Sequence, residues 1–122
     1  MGPARFKDLC LDARDHQALA DWWSAVLGYR RADDPAAGEG YAPRPASDPV
    51  LLLPGADGGP PLWINPVPEP KTVKNRMHID VYGDTAELLA AGAVLVRRHD
   101  GIGWDVLADP EGNEFCVFAP PD

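Results

Sequence analysis

Basic residues are in short supply. The chain has 11 Lys and Arg against 19 Asp and Glu, a formal net charge of −8. Nucleic acid and anionic membrane are poor partners for such a surface, because phosphate binding draws on clusters of lysine and arginine. The one basic cluster, Lys71, Lys74 and Arg76, is expected to be a solvated linker, with an anion-holding role as the other reading. Cysteine is scarcer still. Cys10 and Cys116 show no CxxC spacing and cannot build a disulfide framework. Both lie in strand-like runs and are expected to be reduced, packed thiols, not nucleophiles. No apolar stretch approaches the roughly 20 residues that span a bilayer. The start, "MGPARFKDLC", has neither a signal peptide's apolar region nor a myristoylation signal, so a cytoplasmic location is expected.

What is present is enough for one compact domain. Of the 122 residues 45% are hydrophobic, and they fall into short periodic segments. "ARFKDLCLDA" alternates as a strand. "DHQALADWWSAVLG" has helical spacing, with Asp15 as N-cap and Gly28 as terminator. "YRRADD" is a short extended piece, and "PAAGEGYAPRPASDP", residues 35–49, is a Gly- and Pro-rich loop, expected to be mobile. "VLLLPG" and "PPLWINPVP" read as two strands. After the polar "VPEPKTVKN" the order repeats: strand "RMHIDVYG", helix "DTAELLAAG" opened by Asp84 and Glu87 and stopped by Gly92, then strands "AVLVRRHD", "GWDVLAD" and "NEFCVFAP". Each half thus reads strand, helix, strand, strand, strand. A helix on one face of a mainly antiparallel sheet gives an α+β domain.

Residues two apart on a strand share a face. Leu9 and Leu11, Leu62 and Ile64, Met77, Ile79 and Val81, and Phe115 and Val117 are the expected packing sides. The opposite faces then carry Asp8, Cys10 and Asp12; Trp63 and Asn65; His78, Asp80 and Tyr82; and Glu114, Cys116 and Phe118. Solvent-facing strands alternate in the same way, but Cys116, Phe118 and above all Trp63 are poor choices for open water. Converging polar groups within apolar walls are the usual form of a small-molecule site. Trp63, Asn65, Asp80, Trp104 and Phe118 are therefore the candidate ligand contacts. His78 and Glu114 are the ionisable candidates on those faces, a pairing to which the resemblance below gives the acid–base or ligand reading. His16 and His99 have no evident partner and are assigned no role.

Three segments carry a family resemblance: "DLCLDARDHQALADWWSAVLGY", "VPEPKTVKNRMHIDVYG" and "VLADPEGNEFCVF", with the Asp-Pro-x-Gly-Asn ending fairly specific. On them the chain resembles the glyoxalase-like proteins of the vicinal oxygen chelate superfamily, the glyoxalase, bleomycin resistance protein and dioxygenase type. The resemblance implies two βαβββ modules, at about residues 4–68 and 76–120, forming a half-open mixed-sheet barrel with the helices outside. They would make a single domain over residues 1–122, often within a homodimer. It implies a divalent metal (Mn, Fe, Co, Ni or Zn) at His78, Glu114 and Asp8, where Asp8 stands in place of the usual histidine, glutamine or glutamate. Near Asn65 a glutamate or histidine is usual, and a neutral amide is a weak ligand. Three functions follow. One is a lyase, isomerase or dioxygenase acting on a small molecule with adjacent oxygens, with Glu114 as proton shuttle. The second is a metal-independent binding protein of the antibiotic-sequestering kind. The third is acid–base chemistry by His78 and Glu114 without metal.

Overall fold

In the computed structural model, alternation turns into strand wherever a neighbouring segment supplies a ladder. Residues 2–99, 101 and 103–121 are described, and they form two compact units, Met1–Pro70 and Lys71–Asp122. In the first, β1 (Leu9–Ala13), α1 (His16–Leu27), β2 (Arg30–Arg31), β3 (Val50–Leu53) and β4 (Leu62–Pro66) follow in order. In the second, β5 (Ile79–Tyr82), α2 (Thr85–Ala90), β6 (Val94–Arg97), β7 (Trp104–Ala108) and β8 (Glu114–Phe118) repeat that order. The chain is α+β, as its alternating segments indicated.

Both sheets have the same topology. Strands run β1-β4-β3-β2 in the first and β5-β8-β7-β6 in the second. The first and last strands of each unit pair in parallel, and the other pairings are antiparallel. A parallel pair needs a long crossover, which the helix and the two intervening strands provide.

The helix ends follow local chemistry. Asp15 accepts a hydrogen bond from the Ala18 amide at 3.1 Å, satisfying a donor that the first turn leaves open. Gly28 closes α1 in the left-handed region, φ 68°, where a side chain would be strained. Asp84 receives the Glu87 amide at 3.2 Å and opens α2 in the same way. Leu19 and Trp23 of α1 are buried with Val50, Leu52, Leu62 and Ile64 of the sheet. The second unit has a shorter helix and a smaller core, built around Leu88, Leu107, Phe115 and Val117.

Two expectations, on Met77 and His16, are corrected, and two segments gain detail. Met77 is 82% exposed instead of packed, because β5 begins at Ile79 and no ladder enforces alternation ahead of it. The 35–49 loop contains a 3-10 turn, Pro35–Ala37, capped by Asp34, and its later part meets the start of α1. The His16 Nε2 lies 3.0 Å from both the Ala46 and the Asp48 carbonyl oxygens, and Gln17 donates to Ala46 at 3.1 Å. His16 therefore has partners. The strand expected over residues 93–100 is β6, shifted in register between Leu95 and Arg97, and Asp100 lies outside the described residues.

Truncating the fully buried Trp23 removes the largest side chain of the first core. Trp23→Ala is expected to lower stability by about 3–5 kcal/mol, measured as a shift in the denaturant midpoint.

Candidate functional site

The parallel pairing of β5 and β8 sets the geometry in the second unit. Asp80 is in register with Cys116 and Tyr82 with Phe118. His78 and Glu114 each stand one residue ahead of the Ile79–Phe115 pair. By alternation Glu114, Cys116 and Phe118 share the face of Asp80. The His78 Nδ1 lies 3.3 Å from the Asp80 carboxylate and 3.7 Å from the Cys116 sulfur. The three donor atoms all fall within 4.8 Å of one another.

Glu114 is held differently. The Lys71 ammonium sits 2.7 Å from Oε1, and the Asn75 amide donates to the same oxygen at 3.0 Å. Both side chains are largely covered, 19% exposed for Lys71 and 16% for Glu114. Burial alone would raise the Glu114 carboxyl. The lysine and the backbone donors outweigh it and bring the carboxyl down to about 2, because each favours the ionised form. Lys71 is thus an internal ion-pair partner and not the solvated linker residue expected from its composition. Burial pushes the Cys116 thiol up, with the Asp80 charge acting in the same direction and Lys74 opposing it.

Trp104 and Phe118 lie together at the far end of the same strands. Their rings stack at 5.6 Å, and His99 stacks with Trp104 at 5.1 Å. His99, assigned no role from sequence, therefore has a partner. Asp105 accepts from Thr85 Oγ1 at 2.8 Å and from the His99 amide at 3.3 Å. That hydroxyl contact holds the carboxyl below its ordinary range, against the effect of burial. These residues line an open cleft of about 430 Å³ with Gly83, Arg98 and Ala119.

The first unit carries the remaining candidates. Trp63 Nε1 donates to Asp8 at 2.9 Å, and Lys7 pairs with the same oxygen at 2.6 Å. The lysine contact lowers the Asp8 carboxyl, with burial opposing and the indole N–H assisting. The Arg44 guanidinium lies 5.1 Å over the Trp63 ring. Asn65 donates to Asp12 at 3.4 Å, its register partner across β1 and β4.

The metal-ligand set implied by the resemblance, His78, Glu114 and Asp8, can be weighed against these contacts. Asp8 and Glu114 each already hold a lysine ammonium. Among the described residues, the donors that converge are His78, Asp80 and Cys116. Cys116 was legible by parity, since it is two residues from Glu114. Its partnership with His78 was not, because a thiol in an apolar run reads as packing. Lys71 and Asn75 had no sequence signal as partners of Glu114, for a linker's path back to a strand end leaves no periodicity.

These features define a class: paired strand–helix–three-strand units whose polar residues lie on the face opposite the helix. A model of the Glyoxalase-like domain matches residues 8–118. The chain belongs to this glyoxalase-like family of the vicinal oxygen chelate superfamily. Solved structures agree on the fold. A fosfomycin resistance protein FosX from Mesorhizobium loti superposes with a TM-score of 0.65 at 16% identity, covering 99% of this chain and 95% of that one. FosX from Listeria monocytogenes, solved with Mn(II) and a sulfate ion, gives 0.66 at 11% identity over 99% and 93%. A glyoxalase/bleomycin resistance protein/dioxygenase family enzyme from Burkholderia phytofirmans PsJN gives 0.63 at 20% identity over 93% and 97%. No curated protein matches the chain. No helix is long and apolar enough to cross a membrane among the described residues.

The Glu114 carboxyl lies below its ordinary value of 4.5, so the native state binds fewer protons than the unfolded chain. Its stabilising contribution is complete above about pH 4.5 and is lost as pH falls toward 2. Lys71→Met is expected to raise the Glu114 carboxyl by about one pH unit or more, followed by NMR titration. It should also cost about 1–3 kcal/mol at neutral pH, since it leaves a covered carboxylate short of a partner.

Proposed function

We propose that the chain is a glyoxalase-like enzyme of the lyase, isomerase or dioxygenase type, acting on a small molecule that carries two adjacent oxygens. One observation supports this reading best: the imidazole, carboxylate and thiol of His78, Asp80 and Cys116 converge on the strand face that also carries the ionised Glu114. A divalent cation bound through His78 would supply Lewis acidity toward the substrate oxygens. Glu114 takes up the proton from the carbon beside those oxygens and returns it. Lys71 holds Glu114 ionised at rest. As substrate binds, the ammonium turns to a substrate oxygen, which restores basicity to the carboxylate before proton transfer and places a positive charge where the oxygen becomes negative. Trp104 and Phe118 offer a flat apolar wall in the second unit. Trp63 and Asn65 are ligand contacts in the first. The same reading has the protein acting in the cytoplasm as a homodimer.

A metal-independent binding protein is the second reading. It is favoured by the lysine partners of Asp8 and Glu114, which occupy two carboxylates that a metal enzyme would leave free. The two readings part in one experiment. Protein loaded in turn with Mn²⁺, Co²⁺, Ni²⁺ and Zn²⁺ is assayed on a panel of 2-hydroxyketones, 2-oxoacids and catechols, beside chelator-treated protein. The enzyme reading expects metal-dependent turnover, with kcat/KM about 100-fold lower in Glu114→Gln and turnover abolished in His78→Ala. Ligand binding that survives the chelator, with no turnover under any metal, establishes the second reading instead.

A further inference from the structure

We infer that His78, Asp80 and Cys116 form a cation site of mixed nitrogen, oxygen and sulfur donors, built for a borderline-soft ion such as Zn²⁺ or Co²⁺. Cys116 serves in it as a thiolate ligand. This set differs from the one the resemblance implies, in which His78 would be joined by Glu114 and Asp8. It refines where and what the cation of the proposed reaction is, yet it stands or falls on metal binding alone.

The donor spacing fits. Metal–nitrogen and metal–oxygen bonds of about 2.0 Å and a metal–sulfur bond of about 2.3 Å, arranged tetrahedrally, place donor atoms about 3.3–3.6 Å apart. The structure has 3.3 Å from imidazole nitrogen to carboxylate and 3.7 Å from that nitrogen to sulfur. The oxygen-to-sulfur separation lies within the same 4.8 Å limit.

Without an ion the Asp80 carboxylate is the shared acceptor, facing the imidazole nitrogen at 3.3 Å and hydrogen-bonded by the Cys116 thiol. A cation at the centre would replace those two hydrogen bonds with bonds to all three donor atoms. When it binds, Cys116 loses its proton to solvent, and the thiolate and carboxylate together balance the two positive charges.

Position and access also fit. Asp80 and Cys116 are register partners on adjacent parallel strands, so the ladder fixes their spacing. Cys116 is 7% exposed, while the side chains of His78 and Asp80 are 36% and 55% exposed. An ion would have sulfur behind it and an open side toward solvent, where a fourth ligand enters. Thiolate prefers Zn²⁺ and Co²⁺ over Mn²⁺ and Mg²⁺, which favour oxygen. Glu114 is meanwhile committed to Lys71 and Asn75.

The test is a Co²⁺ titration of the full chain, kept reduced with a non-chelating phosphine. One equivalent should bind and show the near-ultraviolet charge-transfer band of a cobalt–thiolate bond. Cys116→Ser should remove that band. Asp80→Asn, at an exposed position that cannot upset the core, should weaken binding about tenfold or more. Glu114→Gln should leave band and affinity unchanged, and Zn²⁺ but not equimolar Mn²⁺ should displace the cobalt. Absence of binding, a band that persists in Cys116→Ser, unchanged affinity in Asp80→Asn, or loss of binding in Glu114→Gln would each overturn the assignment. A cobalt–thiolate band without turnover of any substrate would defeat the proposed reaction and leave the site standing. Turnover with Mn²⁺ and no such band would do the reverse.

Discussion

The parallel pairing of first strand to last, made once in each unit, is the constraint from which the other features follow. Parallel neighbours cannot be joined by a tight turn, so a helix and two further strands must lie between them in sequence. That requirement yields the order first, last, third, second in both sheets. It also sets side chains from distant parts of the chain beside one another at ladder spacing. Asp12 meets Asn65, and Asp80 meets Cys116. The polar groups of interest converge because the first strand of each unit, at the edge of its sheet, is laddered directly to the last.

Much of this could be seen in the order and parity of the residues. Asp15, Gly28 and Asp84 mark helix ends through their own backbone chemistry, and each acts where its type suggests. Alternation assigned faces correctly within β1, β4 and β8, because a period of two survives wherever a ladder exists. It failed at Met77, one turn of alternation before the ladder begins. Other features are invisible to period. That Lys71 folds back to Glu114, or that His16 reaches the carbonyls of Ala46 and Asp48, depends on the path of irregular segments. Parity also says which face a residue occupies and nothing of its depth. A thiol such as Cys116 therefore reads as packing until its neighbours are known.

Charge is distributed unevenly between surface and site. The chain carries a net −8, yet the carboxylates at the strand openings are neutralised locally: Asp8 by Lys7, Glu114 by Lys71. Deeper in the first unit, Arg31 is held by Asp33, Asp21 and Gln17, a network that stiffens the connection from α1 into β2. The remaining acidic groups form a solvated field that repels anions in bulk. Asp80 is the acidic residue at the face whose neighbours are an imidazole and a thiol and not an ammonium.

The stretch that opens the second unit, ahead of its first strand, is tied to its last strand. Its composition is that of a spacer, yet Lys71 and Asn75 both end on Glu114, at the mouth of the last strand. The stretch is therefore part of the second unit's own structure. A second unit excised at the start of its first strand would leave its own carboxylate stripped of counter-charge. Any rearrangement of this gene that shuffles the two halves, by duplication, permutation or fusion, has to carry those few residues along with the strand they serve.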